Sequence, residues 1–556
     1  MLLRLEAIKF NHDTSSATVD AFNIRKNEAE FIEPPEWRRG LSINPEDSPA
    51  AYALCETRGN TLTIEANFSC DDLSVTALEI RAVDGRICLI PHNNTNGNIL
   101  GEVALTTVEF ADGKASDQRF ELTNVRIWDA GVGKQDILWH WQYRRPGTAA
   151  WSDFATTTHR IYTVLQLPNP PWLRNPHVPS NTNLPWVEVL SFACDWASGT
   201  QNTDDAAALV TERLNDLGST KVLDYESSEH YTDDLNFDCR GFLEDLRGTD
   251  FPVRVNCDDC AAIVSAFSNI LGCSLSQMYI EPVNAAEIGL KPIIRIGSHT
   301  WLEEDDFDHH EVASEGACGE LDEIFDACVQ VANVDEPNPT NRIPLQPTNL
   351  RFGLLGEEGY RSRLVTSDHQ ALCRPHPAGC TQRQLHAANR LGVPDEQQLN
   401  ILKQRHGFDN ASRENLKQSG SSILTLHPHV LPQWRLLRLR KFDKGEVEAE
   451  EPQASQSHWQ SMSNPQNVIR IDVFECASSS DARNGILTLL TRFEQRGMKP
   501  VEPPKFGDVV FTNERSQTIL FSSNNLIFFL RNVGRETLKL VEVAESLNRA
   551  VIVSAF

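Results

Sequence analysis

No run in this chain comes near the roughly 18 consecutive apolar residues that a membrane-spanning helix needs, so a helical membrane protein is not expected. Lysine is scarce. Only 13 of the 51 basic residues are Lys, and 77 acidic residues leave a net charge of −26. So acidic a chain has no surplus of cations for phosphates, which argues against nucleic acid and against an anionic membrane surface as partners. The opening Met1–Phe10 segment, with Arg4, Glu6 and Lys9, is too short and too charged for a secretory leader. The cytoplasm is therefore the expected compartment, with export by a leaderless route left open. Thirteen cysteines in 556 residues, odd in number and scattered, point to reduced thiols rather than a disulfide framework. Among them Cys194, Cys239, Cys273 and Cys328 read as packing residues.

What is present is a chain long enough for roughly three or four domains, each able to bury a core. Within residues 1–168, Leu62–Phe68, Val103–Leu105 and Leu138–Arg144 alternate with period two. Turn signals such as Asp71-Asp72, Val83-Asp84-Gly85 and Ala111-Asp112-Gly113 separate the runs. This spacing predicts an immunoglobulin-like β-sandwich. Trp139, Trp141 and Tyr143 share one face; such a row can serve as a carbohydrate platform, but core packing accounts for it more simply. Pro168–Trp172 reads as a stiff exit linker. Residues 175–340 turn helical and then extended, an α+β core. Helices are expected at Ala206–Leu214, after the candidate caps Asp204 and Asp205, and at Cys239–Leu246. Residues 341–462 read as an irregular connecting region. It holds a candidate helix at 395–404, a basic-edged strand Trp434–Phe442 and a disordered linker from Glu446 to Ser457. Residues 463–556 read as a small α/β domain. Its expected strands are Val468–Phe474, Gly507–Phe511, Thr518–Phe521 and Leu526–Leu530, with a helix from Ser480 to Phe493 and a closing one at Leu538–Leu547.

The most informative segment runs from Val255 to Ala262. Asn256 is a good N-cap, Asp258 and Asp259 fall in the first turn, and apolar residues at helical spacing continue to Leu271 before Gly272. Cys257 then sits at a helix N-terminus, where the macrodipole and free amides favour a thiolate. A nucleophile of this kind needs a base and a group that orients the base. Phe307–Ala313 reads as a short strand carrying His310. Glu323–Val331 reads as a second strand, with Asp326 inside an apolar run where a carboxylate must be paired. On neighbouring strands Asp326 would fix the tautomer of His310, and His309 would face the other way as an exposed neighbour.

The order Cys257, His310, then Asp326 sixteen residues further on, resembles the transglutaminase-like superfamily of papain-type cysteine enzymes over roughly Trp186 to Pro339. The family's Cys-x-Asp-x-Ala motif is met by Cys257, Asp259 and Ala261. This resemblance implies that Cys257 attacks a carboxamide or peptide carbonyl, that His310 shuttles the proton and that Asp326 orients His310. The Cys257 backbone amide would supply one oxyanion donor. The thioester would pass to water, as in a peptidase or amidase, or to an amine, as in crosslinking; water is the simpler acceptor. The family often follows its histidine with a small residue and Trp, whereas Glu311 and Val312 follow His310. His299-Thr300-Trp301 carries that version but lies twenty-seven residues from Asp326, a longer excursion than two short strands need.

Other readings of the same residues stay open. Cys257-Asp-Asp-Cys260 has the CxxC form used for zinc or redox work, without a second ligand pair; Cys318 is a lone cysteine, and the spacing of Cys373 and Cys380 is not diagnostic. Glu303–Asp306 with Asp308 could attract Ca²⁺ but lacks the ligand spacing of a calcium loop, so a solvated acidic turn is the expectation. Neither a cofactor nor a metal is called for. The expected partner is a protein or peptide substrate, with assembly contacts through the N- or C-terminal domain. The competing function is a non-catalytic assembly protein that keeps the scaffold. The expected fold class is thus multidomain α+β.

Overall fold

In the computed structural model the described residues are all except 13–17, 27–31, 42–43, 86–96, 173–182, 227–230, 233–235, 249–251, 284–286, 304–305, 318, 334–340, 354–358, 367–370, 376–381, 386–429, 442–452, 465–466, 477, 493–498, 502–503, 513–517, 533–537, 539 and 555–556. The candidate helix at 395–404, Cys318 and Cys380 fall outside them.

The alternating N-terminal segments form strands that join one ten-stranded sheet. Its order is Trp37–Arg38, Leu3–Lys9, Thr61–Cys70, Lys114–Thr123, Glu102–Glu109, Ala77–Asp84, Gly133–Arg144, Ser152–Val164 and Ala50–Ala53, with Thr18–Val19 paired onto Thr61–Cys70. Trp139 and Trp141 are fully buried, and their indole N–H groups donate to the Gly101 carbonyl (2.9 Å) and to Thr157 Oγ1 (3.1 Å). The aromatic row is therefore core. Each such ring removes on the order of 200 Å² from water, about 5 kcal/mol of transfer free energy. The stretch after this sheet is anchored rather than a free spacer. Trp172 is buried with its N–H on the Ala266 carbonyl (2.7 Å), and Asn169 Nδ2 donates to the Gly272 and Cys273 carbonyls.

The central unit is a mixed α/β layer whose apolar cluster is continuous with that of the N-terminal sheet. The expected helices are Thr203–Ser219 and Cys239–Gly248. Asn202 is the N-cap of the first, accepting from Asp205 N–H, while Asp204 and Asp205 occupy its first turn. A five-stranded antiparallel sheet follows, with Leu275–Pro282 between His310–Glu315 and Ala371–Pro375, and Glu323–Phe325 beyond His310–Glu315. The core helix Cys257–Asn269 packs on two of these strands, Leu275–Pro282 and His310–Glu315.

The C-terminal unit is a seven-stranded, wholly antiparallel sheet with the helices Ser479–Arg492 and Val541–Ser554, each packed on the sheet. Apolar clusters occupy its two faces. Two strands of this sheet lie upstream of residue 463. Trp434–Lys441 is one, and Gln453–Ser461, whose first five residues fall in the linker expected from Glu446 to Ser457, is the other. That strand is polar, yet it buries Trp459, whose N–H donates to Ser457 Oγ (2.9 Å), so hydrogen bonding replaces the missing apolar alternation. A buried ionic cluster ties this sheet to the Cys239–Gly248 helix. His458 Nε2 lies 3.1 Å from Asp245, while Arg470 reaches Asp245 (3.6 Å), Asp238 (4.0 Å) and Asp472 (3.1 Å).

Candidate active site

Val253–Val255 pairs in parallel with Leu223–Tyr225 and delivers the chain to Asn256. There a reciprocal capping box starts the helix: Asn256 Oδ1 accepts from Asp259 N–H (2.9 Å), and Asp259 Oδ2 accepts from Asn256 N–H (3.2 Å). Every residue from Cys257 to Asn269 is buried, so packing as well as the cap holds this helix. Asp259 also accepts from Tyr231 N–H (2.9 Å) and Thr232 Oγ1 (3.0 Å). Burial still pushes its carboxyl up to about 6, against the pull of those hydrogen bonds.

Cys257 lies on the first helical turn, as the sequence predicts, but the residue is only 6% exposed. Burial first, and then the charge of Asp258, push its pKa well up; the contact with His309 opposes this without overcoming it. Burial and the charge of Asp258 thus work against the thiolate that the macrodipole favours. Cys260 is likewise buried, is pushed up by burial and hydrogen-bonds Cys328. The CxxC thiols are free, as are all the described cysteines except Cys373, which is disulfide-bonded.

His310 and Asp326 come together. His310, opposite Ile280 in the sheet, is fully buried, and its Nε2 lies 2.9 Å from Asp326 Oδ2. The expected second strand breaks here: Glu323–Phe325 and Val329–Ala332 are separate strands in different sheets, and Asp326 occupies the corner. Its Oδ1 accepts the N–H groups of Cys328 (2.8 Å) and Val329 (3.3 Å), which is what turns the chain. Tyr360 Oη donates to Asp326 Oδ2 (2.7 Å). With the Cys328, Val329 and Tyr360 donors on it Asp326 is the acceptor, so His310 donates through Nε2, which leaves Nδ1 as the nitrogen without a hydrogen. That Nδ1 is buried and has no hydrogen-bond partner. Phe307 stacks over the ring at 5.5 Å.

His309 is not the exposed neighbour that strand alternation implies. It precedes the first residue of the strand, stacks on Tyr279 (4.4 Å between centroids, 12° between planes) and is 9% exposed. Its Nε2 is 3.3 Å from both oxygens of Asp258, and its Nδ1 is 3.0 Å from Asp308. Burial works against the imidazolium, but hydrogen bonds to Asp258, Asp308 and Cys257 outweigh it and raise the pKa. Behind Asp258, Arg383 forks onto Glu311 (2.5 and 2.8 Å) and approaches Asp258 Oδ1 (3.6 Å). The result is a buried quartet of two acidic and two basic side chains beside the thiol, with Glu311 pushed up by burial and by its hydrogen bond to Asp258. Asp258 is thereby held well below its usual range despite burial, by hydrogen bonds from Glu311 and His309 and by the charges of His309 and Arg383.

The alternative base, His299, is exposed. Of the acidic turn, Glu303 pairs with Arg342 (2.7 Å) and Asp308 with His309. Tyr360, Arg383 and the roles of Asp258, His309 and Glu311 are not visible in the sequence reading. Tyr360 and Arg383 lie in the stretch without periodicity, 34 residues from Asp326 and 72 from Glu311, and no local pattern marks them.

No family model matches the chain, and no curated protein matches it significantly. Among solved structures, a red sea bream transglutaminase is similar at 9% identity and a TM-score of 0.30, over 86% of this chain and 75% of that one. A TM-score that low is no basis for assigning a fold or an activity.

Proposed function

We propose that the chain is a cysteine-dependent acyl-transfer enzyme acting on peptide or carboxamide bonds, with Cys257 as nucleophile, His310 as base and Asp326 as the group that orients His310. In this reading a papain-type core carries the site and an immunoglobulin-like sandwich precedes it. The observation that carries the reading is the state of His310: Nε2 on a fully coordinated carboxylate, Nδ1 buried without a partner. An imidazole held in this tautomer presents Nδ1 to take a proton. The Cys257–Asn269 helix packs on the strand that carries it.

The base acts on a thiol. Cys257 gives its proton to His310 as sulfur attacks the carbonyl carbon, and the imidazolium returns the proton to the departing amine or ammonia. Water then cleaves the thioester, with His310 again as base. His309 is a poorer base, because Asp258 and Asp308 occupy both its nitrogens and favour its charged form. Hydrolysis is preferred to amine transfer, since water needs no second binding site. The protein should release ammonia or cleave peptides without added amine and should incorporate cadaverine poorly, with both activities lost in Cys257→Ala. Efficient Cys257-dependent amine incorporation with little hydrolysis would reverse the preference.

A second reading has one observation in its favour: Cys257 is buried, which pushes its thiol pKa up. A scaffold that keeps the core for assembly would look this way. It would show no turnover in either assay over a broad panel of glutamine and peptide substrates.

A further inference from the structure

We propose that Cys257, Asp258 and His309 form a site for a single divalent transition-metal ion, Zn²⁺ by preference, that caps the thiol. Among the described residues this group alone brings three such side chains together, with one ligand atom from each within 4.8 Å of the others. Zn²⁺ is a borderline ion that accepts soft thiolate, imidazole and hard carboxylate ligands alike.

The spacing fits the ion. Tetrahedral zinc with N and O bonds of about 2.0–2.2 Å and an S bond of about 2.3 Å sets its ligand atoms about 3.4 Å apart for N and O and about 3.6 Å for S and O. Asp258 Oδ2 lies 3.3 Å from His309 Nε2 and 3.7 Å from Cys257 Sγ. Sulfur and imidazole nitrogen, no more than 4.8 Å apart, close toward about 3.6 Å when the ion enters.

The surroundings are also those of a metal ligand set. Asp308 on His309 Nδ1 is the carboxylate that holds a ligating imidazole with Nε2 toward the ion. Tyr279 stacked on the ring keeps its plane. Arg383 stands on Asp258 Oδ1, while Oδ2, which also accepts from Asn256 Nδ2 (3.1 Å), lies toward the Cys257 sulfur and the His309 imidazole. The fourth position is left for water or substrate. Binding displaces the Cys257 thiol proton and the Nε2 proton of His309, so two protons leave for each ion bound. The loaded thiolate is then unavailable for attack. This inference stands apart from the acyl-transfer reading, because the ligands bind metal whether or not the chain turns over.

The test uses the full chain, freed of metal by a chelator and titrated with Zn²⁺ under chelator-buffered conditions, with Co²⁺ as the spectroscopic probe. The expected result is one ion per chain, proton release on binding, tetrahedral-intensity Co²⁺ bands with a thiolate charge-transfer band, and protection of Cys257 from alkylation that EDTA reverses. Cys257→Ser should abolish the charge-transfer band. Asp308→Asn, on an exposed side chain that leaves the core intact, should weaken binding roughly 10- to 100-fold. No stoichiometric binding would overturn the proposal. So would binding indifferent to Asp308→Asn and Cys257→Ser, or binding lost in Cys260→Ser, which would place the ion on the CxxC thiols.

Discussion

Arg383 is the test case for the buried charges behind the site. It is 2% exposed, and its guanidinium forks onto Glu311 at 2.5 and 2.8 Å, touches Gln277 Oε1 at 2.9 Å and lies 3.6 Å from Asp258. Arg383→Met keeps most of the volume and removes the charge. Glu311 is then a buried carboxylate without its main counter-ion, and breaking such a pair costs about 3–5 kcal/mol. Burial already pushes Glu311 above its ordinary value of 4.5, with Arg383 opposing; without Arg383 it rises further. A carboxyl whose folded pKa is raised contributes its stability below the unfolded pKa and loses it as pH climbs through the folded value. The deficit of Arg383→Met should therefore be smallest near pH 4 and largest at neutral pH. Arg383→Met/Glu311→Met should recover most of it. Hydrogen exchange of Leu275–Pro282 and His310–Glu315, read by mass spectrometry at several urea concentrations, isolates this sheet from the other units. A cost below about 1 kcal/mol at pH 7, or a double variant as weak as the single, would refute the reasoning.

The other predictions concern positions further from the thiol. Glu36 is buried, accepts Phe10 N–H (2.8 Å) and is pushed up to about 7 by burial. By the same sign rule the N-terminal sheet should lose about 3 kcal/mol between pH 4.5 and about 7, a slope that Glu36→Gln removes in pH-dependent urea melts. Gly272 ends the Cys257 helix at φ +97°, and a Cβ there would come within 2.6 Å of the Gln166 backbone N, so Gly272→Ala should cost about 1–3 kcal/mol in denaturant titration. Tyr360→Phe removes one donor from Asp326 and should slow turnover several-fold while changing its pH profile; an unchanged profile would reduce Tyr360 to packing. Arg470→Met strips Asp238, Asp245 and Asp472 of a shared cation and should speed exchange in the Cys239–Gly248 helix, with a cost of about 3–5 kcal/mol.

What could be read in the sequence was local. The N-cap at Asn256, the helix that stops at Gly272 and a strand carrying His310 follow from cap chemistry and periodicity, which act over a few residues. The His310–Asp326 contact was also legible, because an acid inside an apolar run must find a partner. Alternation misled at His309, which lies just outside the strand, so its ring is free to turn toward Asp258. The dipole argument at Cys257 takes no account of desolvation, which pushes the thiol pKa up in a helix buried all round. Gln453–Ser461 was illegible for a different reason: it holds its place in the sheet through polar groups and one tryptophan, beside a run of glutamates that dominates the composition.

The central claim is that His310 draws the proton from Cys257, and alkylation of the native chain tests it most directly. With metal chelated and the pH near neutral, iodoacetamide should modify Cys257 before Cys260 and Cys328, and His310→Ala should slow that modification by at least about tenfold. Preferential labelling of Cys260, or a Cys257 rate indifferent to His310→Ala, would contradict the account.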